Sequence, residues 1–259
     1  MKIPKRNKEE QTRLDKILEE KRYDTYANHL NNTRNHTTVS KPKPWVEEPY
    51  IFYQARICQA FNSKSKILEL ASGVGDKSEI IFHVTNKVIL SDISEESLKR
   101  LAKRFATYKP TLRRIDIEDI KFPSESFDGV ICAGGLSYGD NLKVKNEIYR
   151  ILKPNGKLIL VDSLNDNPIY KFNRFIHFLR GDRSLSTLRR MPNMKLLRSY
   201  SQTFKQVEIT FYGSLIWMMP ILSRIIGDQK ASSFSNRADR LIRVKKSAFK
   251  FVMIATKEA

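Results

Sequence analysis

The chain has 259 residues, 41% of them hydrophobic and 29% charged, with a net charge of +19. That composition excludes a wholly disordered chain, and no apolar run reaches the ~18–20 residues that cross a bilayer. Cys58 and Cys132 are the only cysteines and lack metal-ligand spacing, and the basic start carries no apolar secretory stretch; the expectation is a reduced, cytoplasmic protein.

The charge is unevenly spread. Residues 46–163 carry +2, residues 1–45 carry +5 and residues 164–259 carry +12. The middle of the chain is nearly neutral and its flanks make a positive field, which attracts nucleic acid, anionic lipid or a phosphorylated small molecule.

Residues 1–30 alternate charges with Leu14, Ile17, Leu18 and Tyr23, the pattern of a weakly amphipathic helix. Tyr23, Tyr26 and His29 fall on one side of it. Residues 31–44 are polar with two prolines and read as a hinge. A helix over 46–61 is expected to pack Ile51, Ala55, Ile57 and Phe61. Strand and helix then alternate: strand 66–71, helix 76–84, strand 87–92, a helix capped by Ser94, strand 112–117, strand 129–133, helix 141–152, a Lys153–Gly156 turn and strand 157–161. Alternation of this kind predicts an α/β fold with a mostly parallel, doubly wound sheet and helices on both faces. Beyond it come a helix over 168–180, a basic segment to about residue 200, a strand over 206–212 and a strand over 248–256. Residues 214–227 between those strands are apolar.

Chemistry concentrates at 66–76. An apolar run ends in Glu69 and breaks into Ala71, Ser72, Gly73, Val74 and Gly75. Glycines let a ligand approach the backbone, and the carboxylate accepts its hydrogen bonds. Asp92 closes the next apolar run, about 20 residues beyond the glycines, where nucleotide-binding folds place a ribose partner. Asp76 follows the glycines directly. A carboxylate there repels a pyrophosphate and suits a cationic nucleoside, against a nicotinamide dinucleotide.

In order, these motifs resemble those of the class I S-adenosylmethionine-dependent methyltransferases, in the group containing the quinone-biosynthesis enzymes. Glu69–Gly75 looks like the family's acid-x-Gly-x-Gly-x-Gly motif, with Ala71 at the first glycine. Asp116 through Pro123, followed by Ser126, Phe127 and Asp128, is similar to its third-strand motif. Glu147–Gly156 is similar to its turn before strand five. The resemblance implies a Rossmann-like seven-stranded sheet with an antiparallel last strand, and S-adenosyl-L-methionine as cofactor. It implies a cofactor site of Glu69, Ala71, Ser72, Gly73, Gly75, Asp92, Ile93, Asp116, Ile117 and Gly134, without a metal. It also suggests residues 1–45 as a lid, Tyr26 included, over a methyltransferase domain at 46–259. Additions at 164–204 and 213–247 would face the acceptor.

Acceptor chemistry is less legible. Tyr138 and Asp140, beyond Gly134 and Gly135, are candidates to orient an acceptor hydroxyl, and His177 is a candidate base. Arg174, Arg180, Arg183, Arg189 and Arg190 form a cationic segment fit to clamp a phosphate or carboxylate. The leading expectation is a small-molecule acceptor, a sugar or an anionic or lipid-linked metabolite, with peripheral membrane contact through 214–227. An RNA methyltransferase drawn by the basic half, and a non-catalytic donor-fold protein, are the alternatives.

Overall fold

A computed structural model describes residues 8–32, 43–180, 184–242 and 245–259. The chain opens with helices α1 (Lys8–Asn32) and α2 (Pro44–Ala60), then alternates through β1 (Ile67–Leu70), α3 (Glu79–Phe82), β2 (Val88–Asp92), α4 (Glu95–Arg104), β3 (Thr111–Arg114), β4 (Phe127–Ala133), α5 (Asn141–Ile151) and β5 (Leu152–Ser163). Three helices follow, α6 (Pro168–Leu179), α7 (Leu185–Arg190) and α8 (Met194–Thr203), then β6 (Gln206–Tyr212), α9 (Met219–Ile226), α10 (Asp228–Leu241) and β7 (Lys250–Thr256). The hinge expected at 31–44 lies largely outside the described residues.

The seven strands form one sheet in the order β3-β2-β1-β4-β5-β7-β6. β1 to β5 pair in parallel; β7 lies antiparallel between β5 and β6. Strand alternation divides the interior in two. Leu68, Leu70, Val130, Leu158 and Leu160 enter the core on one face with Ile148, Leu197 and Tyr200. Ile67, Leu90, Ile131 and Ile159 enter the other with Tyr53, Ile57 and Leu101. Burial on both faces is why these strands read as unbroken apolar runs.

Local chemistry sets the ends. Ser94 caps α4 by accepting from the Ser97 amide, as expected. β3 stops short of its expected end because the Asp116 side chain accepts from the Glu118 amide at 2.9 Å, folding the chain into a turn. The Lys153–Gly156 turn does end α5, but it is absorbed into β5 as an irregularity, with Asn155 at φ 61. In α2 the buried row is Trp45, Pro49, Tyr53 and Ile57, four residues apart, and Ile51 is 58% exposed. The expected Ile51 and Ala55 contacts are therefore on the wrong face. The basic segment before residue 200 is helical. Ser184 and Asn193 cap α7 and α8 by accepting from the Thr187 and Leu196 amides.

Candidate functional site

The exits of β1, β2 and β4 lie along one edge of the sheet, the edge where open α/β sheets hold ligands. After β1 the backbone is left-handed at Ala71 (φ 51), Gly73 (φ 55) and Gly75 (φ 83). The turn is pinned to β2 by the Ser72 amide, which donates to the Ser91 carbonyl at 2.9 Å. A Cβ on Gly73 or on Gly134 (φ 84) would meet nothing within 4 Å, so both present bare backbone to open space. Gly75 does something else. A Cβ there would sit 2.5 Å from Phe105 and 2.8 Å from Leu101. Gly75 stands outside the cavity wall, and its lack of a side chain lets the turn close against α4.

The open space is a cavity of about 270 Å³ walled by Glu69, Ala71, Ser72, Gly73, Asp92, Ile93, Asp116, Ile117 and Gly134, among others. Nine of the ten expected cofactor residues thus share one cavity. Glu69 is buried and accepts from Ser78 Oγ at 2.5 Å. Burial pushes its pKa up to about 7, against the opposing hydrogen bond of Ser78. Asp92 accepts from the Gly73 amide at 2.8 Å and the Ser94 amide at 2.9 Å, which fixes its orientation. Burial raises its pKa too, and those amides oppose the rise. Asp76 lines the same cavity, but its carboxylate is paired with Arg104 at 2.7 Å, which offsets its charge toward a cationic ligand.

α1 lies across this cavity and supplies Lys16, Glu19 and Tyr23 to its wall. Lys16 Nζ reaches Asp116 Oδ2 at 2.5 Å and Glu118 Oε2 at 3.1 Å. Glu19 accepts from Thr187 at 2.5 Å and from Ser184 at 2.8 Å. Glu20 pairs with Arg114 and Asp24 accepts from Ser94. The Tyr23 and Tyr138 hydroxyls are hydrogen-bonded, with the rings edge to face at 5.3 Å. Residues 16, 19, 20, 23 and 24 recur at helical spacing, so one polar face makes every one of these contacts. Ile17 and Leu18, expected to pack, are exposed. The side chains of Tyr26 and His29 lie outside the described residues.

The three candidate catalytic residues separate. Tyr138 is in the cavity wall, in a short 3-10 turn after β4. Burial holds its pKa well above the usual tyrosine value, and that of Tyr23 up as well. Both hydroxyls keep their protons at neutral pH. Asp140 lies outside the cavity wall and caps α5: its carboxylate accepts from the Leu142 and Lys143 amides. His177 lies on α6, outside the cavity wall. Arg174 is also no clamp. It is buried and donates to the Leu164 carbonyl at 2.7 Å and Asn165 Oδ1 at 2.9 Å. Arg183 lies outside the described residues. Sequence reading missed Lys16, Glu19, Tyr50 and Lys77, which also line the cavity; none carries a motif.

A family model described as a methyltransferase domain matches residues 68–160. That span holds the turn, Asp92, Asp116 and the β4 exit. Over that span the chain is similar to methyltransferase domains. The ubiquinone/menaquinone biosynthesis C-methyltransferase UbiE of Wigglesworthia glossinidia brevipalpis is 30% identical over 129 residues, 46% of this chain and 50% of that protein. The chain spans about half the length of the curated relatives it matches first. Among solved structures, phosphoethanolamine N-methyltransferase 2 of Haemonchus contortus in complex with S-adenosyl-L-methionine superposes with a TM-score of 0.58 at 17% identity, covering 82% of this chain and 53% of that one. The [4+2]-cyclase SpnF superposes with a TM-score of 0.54 at 14% identity, covering 80% of each chain. A cyclase on this fold means that the fold alone does not specify methyl transfer. The residues present fit S-adenosyl-L-methionine: acids stand at the ends of three adjacent strands, and bare backbone opens beside them.

Proposed function

We propose that the protein transfers a methyl group from S-adenosyl-L-methionine to a small amphiphilic acceptor. The observation that carries this reading is the convergence of Glu69, Asp92 and Asp116 on one cavity that two left-handed glycines leave open. Asp92, already oriented by two amides, keeps free lone pairs for the ribose hydroxyls. Asp116 accepts at the adenine end, and Gly73 and Gly134 admit the nucleoside without steric cost. When bound, the cofactor supplies a methyl already activated on a sulfonium. The protein's part is alignment and exclusion of water. α1 provides the exclusion as a lid, and Tyr138 hydrogen-bonds the acceptor beside Gly134. The acceptor's activation lies in its own chemistry, as in an electron-rich ring carbon or a neutral amine.

Support for an amphiphile comes from the apolar surface near the same edge and from similarity to enzymes named for ubiquinone and menaquinone biosynthesis. The experiment is donor binding by titration calorimetry, followed by a turnover screen reading S-adenosylhomocysteine. The screen covers prenylated phenols and hydroquinones, lipid-linked and nucleotide-linked sugars, phosphorylated amines and RNA. Donor binding is expected, with Asp92→Asn weakening it by ~10–100-fold, the ~1.5–3 kcal/mol of a charged hydrogen bond. Unchanged affinity in Asp92→Asn, or turnover of RNA alone, would overturn the proposal.

A further inference from the structure

β5 and β6 both pair antiparallel to β7, so they run the same way. The chain therefore leaves both at one edge of the sheet, and that is the edge holding the cavity. The segment leaving β5 becomes α6, and the segment leaving β6 becomes α9. The two are tied together there: Tyr170 Oη of α6 donates to the Gly213 carbonyl at 2.6 Å. Each helix buries one side. Tyr170 and Arg174 are the buried residues of α6; Met219 of α9 packs against Trp45 and Ala231.

The other sides are apolar and open. On α6, Phe172 is 67% exposed, Phe175 46% and Leu179 66%. Their spacing of three and four residues makes a single stripe. Trp217, Ile221 and Ile225 repeat the pattern at intervals of four, with Ile221 63% and Ile225 75% exposed. Scattered apolar residues are ordinary on a surface; two exposed apolar stripes in segments that leave the same sheet edge are not. Neither helix contains a carboxylate. Exposed Lys171, Arg180 and Arg224 border the stripes, within the part of the chain that carries +12. Aromatic and aliphatic residues on one side with cations beside them are what an anionic lipid surface binds.

We propose that α6 and α9 together dock the protein on an anionic bilayer, with the cavity edge turned toward the membrane. Residues 214–227 alone would be a single short anchor; the structure adds α6 as its equal. A protein partner would call for a shaped groove with paired polar groups. These faces are exposed helical stripes bordered by cations, the chemistry that an anionic bilayer binds. That the acceptor is then drawn from the bilayer rests on the methyltransferase reading above. The docking itself rests on the surface alone.

The test is flotation of the full chain with vesicles of phosphatidylcholine, with and without about a quarter phosphatidylglycerol. Binding is expected only with the anionic lipid, falling as salt is raised. Phe172→Ser with Phe175→Ser, and separately Ile221→Ser with Ile225→Ser, are expected to weaken it by ~10-fold or more. Lys171→Gln with Arg180→Gln should weaken it too. These sites face solvent, so thermal melting and donor binding should match wild type in each variant. Serine variants that float as wild type overturn the proposal, as does a wild type that ignores both vesicles. A wild-type dimer that the serine changes split into monomers also overturns it, because a second copy then covers the face. Flotation without donor binding would sink the methyltransferase reading and leave the docking standing.

Discussion

Glu69 holds a proton about half the time at neutral pH, because burial sets its pKa at about 7. The sign of the linkage follows. The unfolded chain releases this proton near the ordinary value of 4.5, and the folded chain keeps it to about 7. Stability from this group therefore declines between those values and is level above them. A sulfonium cation has the opposite preference and favours the ionised form. Donor affinity should rise roughly tenfold from pH 6 to pH 8, and Glu69→Gln should flatten that rise in calorimetric titrations. Ala71 makes a second residue-scale case. It stands in a left-handed turn where the family motif has glycine, and its Cβ packs where a Cβ on Gly135 would fall, at 2.8 Å. Gly135→Ala should destabilise the fold by ~1–3 kcal/mol through overpacking. Ala71→Gly in the same chain should recover part of that loss in denaturant melts, the remainder coming from Cys132 Sγ at 2.7 Å. The motif's spelling gave no hint of this pairing, nor that Gly75 faces Phe105 instead of the ligand. Spacing shows where glycines stand, and only the tertiary neighbour decides what each one makes room for.

At the scale of elements, the well-read parts are those whose burial is apolar and periodic. β1, β2, β4 and β5 were visible as runs, and α4 and α5 as stripes with caps. The helix of α1 was legible, but its attaching face was not, for the same reason in reverse. It attaches through Lys16, Glu19, Glu20, Tyr23 and Asp24, and a charged face looks solvated when seen alone. α7 and α8 were overlooked because their basic composition masked the Ser184 and Asn193 caps. In the lid role proposed for it, the polar attachment of α1 would make closure reversible. Partly exposed ion pairs contribute ~0–1 kcal/mol each and weaken with salt. Lys16→Ala should raise amide exchange across residues 8–32 by up to ~5-fold, and added salt should do the same in the wild type. No change in either measurement would mean that α1 is held by something other than these pairs.

Across the whole molecule, the charge segregation seen in the sequence has a structural counterpart. The nearly neutral segment contains most of the acid-lined cavity wall, and the basic segment contains the helices α6 to α10. The two segments join through β7, which pairs with β5 on one side and β6 on the other. β6 has no other strand partner. Lys257, just beyond β7, donates from Nζ to the Leu152 carbonyl at 2.7 Å and closes the far end of β5. A chain ending at residue 249 should therefore lose cooperative thermal melting, since β6 and its neighbours have nothing to pair with. A sharp transition near the wild-type midpoint would refute that dependence. The order of synthesis gives this arrangement a temporal side. β6 precedes in the chain the strand that sits beside it, so during synthesis β6 emerges before β7 can pair with it. Slow translation of residues 213–249 would lengthen that wait, and the growing polypeptide would need a chaperone most in that interval.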